Sequence, residues 1–139
     1  MIDYQYEADF KLREPQQYTD WINKVITSEK VHLATISYVF CTDDYLLKLN
    51  EKFLGHNTYT DIISFDYSEG DNISGEIYIS TDRVKENAQR YNVKFDIELQ
   101  RVMVHGLLHL MGYKDKSEEE KKVMRTKEDE KINMFHVKQ

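Results

Sequence analysis

The stretch Asp96-Ile97-Glu98-Leu99-Gln100-Arg101-Val102-Met103-Val104-His105-Gly106-Leu107-Leu108-His109-Leu110-Met111-Gly112-Tyr113-Lys114-Asp115 decides how this chain is read. Its first sixteen residues are apolar around most of a helical circumference, and such a helix belongs in the centre of a molecule. Asp96 reads as its N-cap and Gly112 as its stop. Two side chains break the apolar pattern, His105 and His109. A single histidine in an apolar helix is most simply a hydrogen-bonded core residue. Two of them four residues apart lie on one face, one turn from each other, and their imidazoles can converge on one ion. Gly112 then allows a sharp reversal, and Asp115 follows three residues later as a third ligand. Three protein ligands leave a fourth position for water, the arrangement of a catalytic zinc rather than a structural one.

Working outward, residues 2–8 alternate as a strand, and Pro15 opens a helix to about residue 29 with Trp21, Ile22, Val25 and Ile26 on one face. Residues 31–40 are rich in β-branched and aromatic side chains and read as a second strand. Thr42 caps a helix over about 43–53, with Asp43 and Asp44 at its positive end. Strands over about 60–66 and 73–80 flank the polar turn Ser68-Glu69-Gly70-Asp71-Asn72 and should form a hairpin. A polar helix spans about 82–91. Ser117 and Glu120 have capping-box spacing for a last helix over about 118–134. This order predicts an α+β fold: a single domain over residues 1–139, with a small mixed sheet packed with helices around a central, zincin-like H-x-x-x-H helix.

Composition narrows the classes further. At 139 residues the chain has the length of one domain. Hydrophobic residues make up 40% and charged residues 32%, which excludes a disordered chain. The lone cysteine, Cys41, gives no internal disulfide and no thiolate zinc site; no disulfide-linked partner is expected either. No apolar run is long enough to span a membrane, and the first residues do not resemble an export signal, so a cytoplasmic location is expected. The formal charge of −6, from 19 basic and 25 acidic residues, taken alone argues against a nucleic-acid partner.

Four segments carry a family resemblance. His105-Gly106-Leu107-Leu108-His109-Leu110-Met111-Gly112-Tyr113 resembles the H-G-x-L-H-L-x-G-Y-D-H signature of the YbeY family, bacterial zinc-dependent endoribonucleases of ribosomal RNA maturation. Thr60-Asp61-Ile62-Ile63-Ser64-Phe65 resembles that family's T-D-V-L-S-F strand. Gly75-Glu76-Ile77-Tyr78-Ile79-Ser80 is similar to its G-D-I-x-I-S strand. Glu98-Leu99 matches its E-L pair, and Met124 and Glu128 its closing M-x-x-x-E.

The resemblance implies a single-strand-specific endoribonuclease that acts on the 3′ end of 16S ribosomal RNA, with the ribosome or small-subunit assembly proteins as partners. It implies one zinc ion on His105, His109 and Asp115, through which these three residues would be catalytic. Asp61 and Ser64 would line the substrate groove, and Lys114 and Lys116 would flank it. Two positions depart from the family. Asp115 stands where the family has histidine. It can still ligate through oxygen, but its charge would make a bound water less acidic. Leu54 stands where the family has an arginine that faces RNA; His56 and Lys52 are the nearest substitute cations. Two other readings remain at this level. A metalloprotease shares the ligand spacing but needs a glutamate where Gly106 stands. A non-catalytic assembly factor would keep the fold and tolerate Asp115 and Leu54. If RNA is the substrate, an acidic chain implies weak, salt-sensitive binding from a few local cations.

Overall fold

The computed structural model describes residues 1–136. The elements run β1 (Ile2–Glu7), α1 (Pro15–Ser28), β2 (His32–Cys41), α2 (Asp43–Leu54), β3 (Ile62–Asp66), β4 (Asn72–Ser80), α3 (Thr81–Arg90), α4 (Phe95–Leu110) and α5 (Glu118–His136). The four strands form one mixed sheet in the order β1-β2-β4-β3. β1, β2 and β4 run parallel, and β3 closes the edge as the antiparallel hairpin partner of β4. The expected α+β class, with a small mixed sheet and a central buried helix, is the fold observed.

Alternation divides the sheet into two faces. On one face Ile36, Tyr38, Phe40, Ile77 and Ile79 join α1, α4 and α5 in the main core. There the Tyr38 hydroxyl donates to the Met103 carbonyl at 3.0 Å, which ties the sheet to the middle of α4. On the other face Cys41 and Ile63 meet Leu46 of α2 in a smaller cluster. Burial, with the carboxylates of Asp43, Asp82 and Glu7 adding to it, pushes the Cys41 thiol up to about 12, so it is a packing residue and not a nucleophile.

Local sequence signals set most helix ends. The Thr42 hydroxyl accepts from the Tyr45 amide. Ser117 and Glu120 make both bonds of the capping box, Glu120 N to Ser117 Oγ at 3.1 Å and Ser117 N to Glu120 Oε1 at 2.9 Å. Gly112 has φ +98°, which few side-chain-bearing residues adopt, and it turns the chain out of α4. One expectation fails. Asp96 is not the cap of α4: Lys94 occupies that position without a side-chain bond, and Asp96 sits in the first turn. Phe95 packs against the core 5.9 Å from the Phe10 ring, and this draws the first turn back past Asp96. Asp96 still complements the positive end of the helix.

The candidate metal centre and its groove

α4 is buried on every side except the one carrying its histidines, because the sheet, α3 and α5 all pack on it. His105 and His109 project from that side, and the turn at Gly112 brings Asp115 back to them. The two Nε2 atoms lie 3.0 Å apart. Asp115 Oδ2 lies 3.1 Å from His105 Nε2 and 3.4 Å from His109 Nε2. These separations approximate the edges of a tetrahedron whose centre is about 2.0–2.1 Å from each corner, the usual zinc–ligand distance.

The outer nitrogens explain why the inner ones face each other. His105 Nδ1 is 2.6 Å from Glu128 Oε2, and His109 Nδ1 is 2.9 Å from the Tyr113 carbonyl oxygen. Both partners are acceptors, so both Nδ1 atoms carry the proton and both Nε2 atoms present lone pairs. Two nitrogen lone pairs and a carboxylate oxygen, all within 3.4 Å, repel one another unless a proton or a metal cation sits among them. The donor set therefore fits a metal, and a mixed nitrogen and oxygen set suits zinc or a similar first-row ion. The local field agrees. Burial disfavours a charged His105, yet its bond to Glu128 and the charges of Glu128, Asp115 and Asp61 outweigh that and raise its pKa.

Both outer partners are themselves held. Glu128 is buried and takes Arg101 Nη1 at 2.9 Å, while Arg101 Nη2 reaches Asp129 at 2.7 Å. The Tyr113 hydroxyl donates to Glu29, which also receives Lys127 at 3.1 Å and Lys131 at 2.8 Å. One histidine is thus anchored through α5 and the other through the end of α1. The sequence alone gives neither anchor a role. Glu128 was visible only as part of a matched motif, and Glu29 carries no sequence signal, since its partner Tyr113 lies 84 residues away.

The cluster opens on a groove of about 850 Å³. His56, Asp61, Ser64 and Lys116 line it beside the three ligands. Lys114 is exposed and does not line it. Lys52 lies over the Phe53 ring at 5.2 Å, outside the groove. Leu54, half exposed, gives this wall an apolar edge at the position discussed above. Burial raises the Asp61 carboxyl, with the nearby His105 opposing it.

Gly106 disposes of the peptidase arrangement. A Cβ there would lie 2.8 Å from both Ile62 Cδ1 and Ile77 Cγ2. The position after His105 therefore faces the sheet and not the metal, and a glutamate there could not reach a substrate. Gly106→Ala gains helix propensity of up to about 1 kcal/mol but overpacks the contact with β3 and β4 by about 1–3 kcal/mol. A net loss of about 1–2 kcal/mol in urea unfolding is expected. An unchanged or raised midpoint would show that α4 does not approach the sheet this closely.

Comparison with known proteins agrees with this architecture. A sequence model of the family described as Endoribonuclease YbeY matches residues 3–136. Endoribonuclease YbeY of Flavobacterium psychrophilum is 55% identical over 139 residues, covering 100% of this chain and 99% of that protein. Endoribonuclease YbeY of Phocaeicola vulgatus is 43% identical, covering 99% of this chain and 100% of its own. The solution structure of TM1509 from Thermotoga maritima superposes with a TM-score of 0.70 at 26% identity, over 97% of this chain and 89% of that one. With the family model matching residues 3–136 and a relative 55% identical over the whole chain, the chain belongs to the endoribonuclease YbeY family.

Proposed function

We propose that this chain, acting as one domain, hydrolyses phosphodiester bonds in single-stranded ribosomal RNA during maturation of the 16S 3′ end, with one zinc ion held by His105, His109 and Asp115. The observation that carries the reading is the pair of inward-facing Nε2 atoms beside the Asp115 carboxylate, each imidazole fixed from behind by an acceptor. Zinc bound there would act as a Lewis acid toward a phosphate oxygen and would acidify its own water. The protein's own residues do the rest. Glu128 and the Tyr113 carbonyl hold the two imidazoles in the tautomer that presents Nε2 inward. Asp115 brings its negative charge to the site and offsets part of the ion's. Lys116 places an ammonium at the groove beside Asp115, where it can meet an adjoining phosphate. His56 can donate a hydrogen bond from the far wall, which Leu54 cannot.

A cytoplasmic site of action with the ribosome or small-subunit assembly proteins suits this reading, and no helix among the described residues is long and apolar enough to cross a membrane. The binding expected of a chain with a net charge of −6 is weak and salt-sensitive, because only a few cations border the groove. The test is elemental analysis of the purified protein beside cleavage of a single-stranded 16S fragment and of an unstructured peptide. About one zinc per chain is expected, with RNA cut, peptide intact, and cutting abolished by a chelator and restored by zinc. Ribosome binding with no metal-dependent cleavage would favour a non-catalytic assembly factor instead.

A further inference from the structure

The histidine pair is one end of a longer polar stripe. Glu98, Arg101 and His105 are spaced i, i+3 and i+7 and share one face of α4. That face opens on a second cavity of about 310 Å³, on the α3 and α5 side of the metal centre. The cavity meets the groove at Asp61, His105 and Asp115, so one bound chain can occupy both.

Glu98 is the unusual group in this cavity. It is 5% exposed, lines the cavity, and has no hydrogen-bond or ion-pair partner among the described residues. Burial pushes its carboxyl up, and the nearby charges of Arg101 and Arg125 offset that only in part. Its oxygens are not sealed off: the buried side-chain polar atoms without a partner among the described residues belong to Asp3 and Arg83, so the Glu98 carboxylate meets the solvent of the cavity and is open to a donor that enters it. The other buried acid here is satisfied, since Glu128 is held by His105 and Arg101. Tyr91, at the end of α3, lines the same cavity with its side chain largely exposed. Arg125 of α5 forms no ion pair among the described residues and borders both this cavity and a neighbouring one lined by Lys121 and Lys122.

We infer that this cavity is a nucleobase subsite selective for guanine, with Glu98 as the specificity-determining residue. A carboxylate offers two parallel acceptor oxygens. Guanine alone presents two adjacent donors, N1–H and N2–H, on its Watson–Crick edge. Adenine and cytosine present one donor beside an acceptor, and uracil one donor between two acceptors. Tyr91 supplies a stacking surface, and such surfaces accept any base, so they add affinity without selectivity. Arg125 is placed to meet a phosphate. Seven helical steps lead from Glu98 to His105, about 10.5 Å of axis. That is about the reach from a phosphate to the far edge of an adjoining base. The inference rests on the proposed action on RNA.

The test separates the two. Guanosine, adenosine, cytidine and uridine 5′-monophosphates hold no phosphodiester to cleave, and their binding to the zinc-loaded protein is followed by NMR titration. GMP is expected to bind at least about fivefold more tightly than the other three, since a good bidentate pair discriminates by that much or more. Glu98→Gln should bring GMP to within about twofold of the others and leave those unchanged. Arg125→Ala should weaken all four alike. Because Glu98 has no hydrogen-bond or ion-pair partner among the described residues, Glu98→Gln should also leave Tm unchanged or raise it. Equal binding of the four nucleotides, a GMP preference that survives Glu98→Gln, or a fall in Tm would each overturn the assignment. If GMP is preferred but no RNA is cleaved, the nuclease reading fails and the subsite stands. If RNA is cleaved regardless of guanine and Glu98→Gln cuts like the parent, the subsite fails and the nuclease reading stands.

Discussion

His109→Ala is expected to lose tight zinc binding and to cut RNA at least about 10³-fold more slowly than the parent, since metal-ion stabilisation of a phosphoryl oxygen is worth several kcal/mol. The variant keeps His105 and Asp115, two donors 3.1 Å apart that cannot enclose an ion. The fold should tolerate the change, because His109 is partly exposed and its Nδ1 bond is to a backbone carbonyl at the protein's edge. Glu128→Gln is a graded companion. A glutamine has one acceptor where Glu128 uses two, toward His105 Nδ1 and Arg101 Nη1. Turning its amide toward His105 makes Nδ1 an acceptor and puts the proton on Nε2, inside the site. A loss of about 10–100-fold in metal affinity is the usual size of such an effect. Zinc content by elemental analysis and initial rates on one RNA fragment measure both. If His109→Ala retains one zinc per chain and the parental rate, the cluster is not the metal centre.

Much of the fold could be read from local signals, and the reasons are specific. The helix over Pro15–Ser28, the cap at Thr42 and the Ser117–Glu120 capping box depend on residues within four positions of each other, so sequence spacing reports them directly. The same holds for the metal ligands, because the i, i+4 pair and the turn at Gly112 span only eleven residues. Two things were out of reach. Asp96 has the chemistry of a cap, but packing of Phe95 on the core decides where α4 begins, and packing is not local. The groups that orient the ligands come from remote elements: Glu128 is 23 residues from His105. A charged residue in a charge-rich helix gives no sign that its carboxylate is buried. Glu98 lies between these cases. Its spacing from His105 puts it on the same helix face, and a carboxylate on a buried face of an apolar helix is a signal in itself.

The largest expected loss of stability is at Glu29, which is 84 residues from Tyr113 in sequence but bonded to its hydroxyl at the turn that leads to Asp115. Burial acts to raise its carboxyl. Hydrogen bonds from Lys131, Tyr113 and Lys127 overcome this and hold it at about 2. Against an ordinary value of 4.5, the shift amounts to about 3 kcal/mol in favour of the folded state, at about 1.4 kcal/mol per unit. Since the folded-state value is the lower one, this stability is present in full above about pH 4.5 and is lost as pH falls through about 2. Glu29→Gln should therefore lower the free energy of unfolding at pH 7 by about 3 kcal/mol, a drop of roughly 10 °C in Tm for a chain of this size. Among the described residues it leaves the Lys131 ammonium, 2% exposed, with Ser28 and the more exposed Glu130 for partners. Breaking a buried pair from one side costs about 3–5 kcal/mol, in line with the first figure. Urea unfolding of parent and variant at pH 7, 4 and 3 reads the effect, and the gap should narrow steadily below pH 4.5. A gap that stays constant over that range would mean the loss comes from packing and not from charge. The site should respond as well, because Glu29 holds the Tyr113 side chain while the Tyr113 carbonyl holds His109. Zinc affinity in Glu29→Gln should fall, but by less than in Glu128→Gln, since the carbonyl is also fixed by the Tyr113 amide bonding back to Leu108.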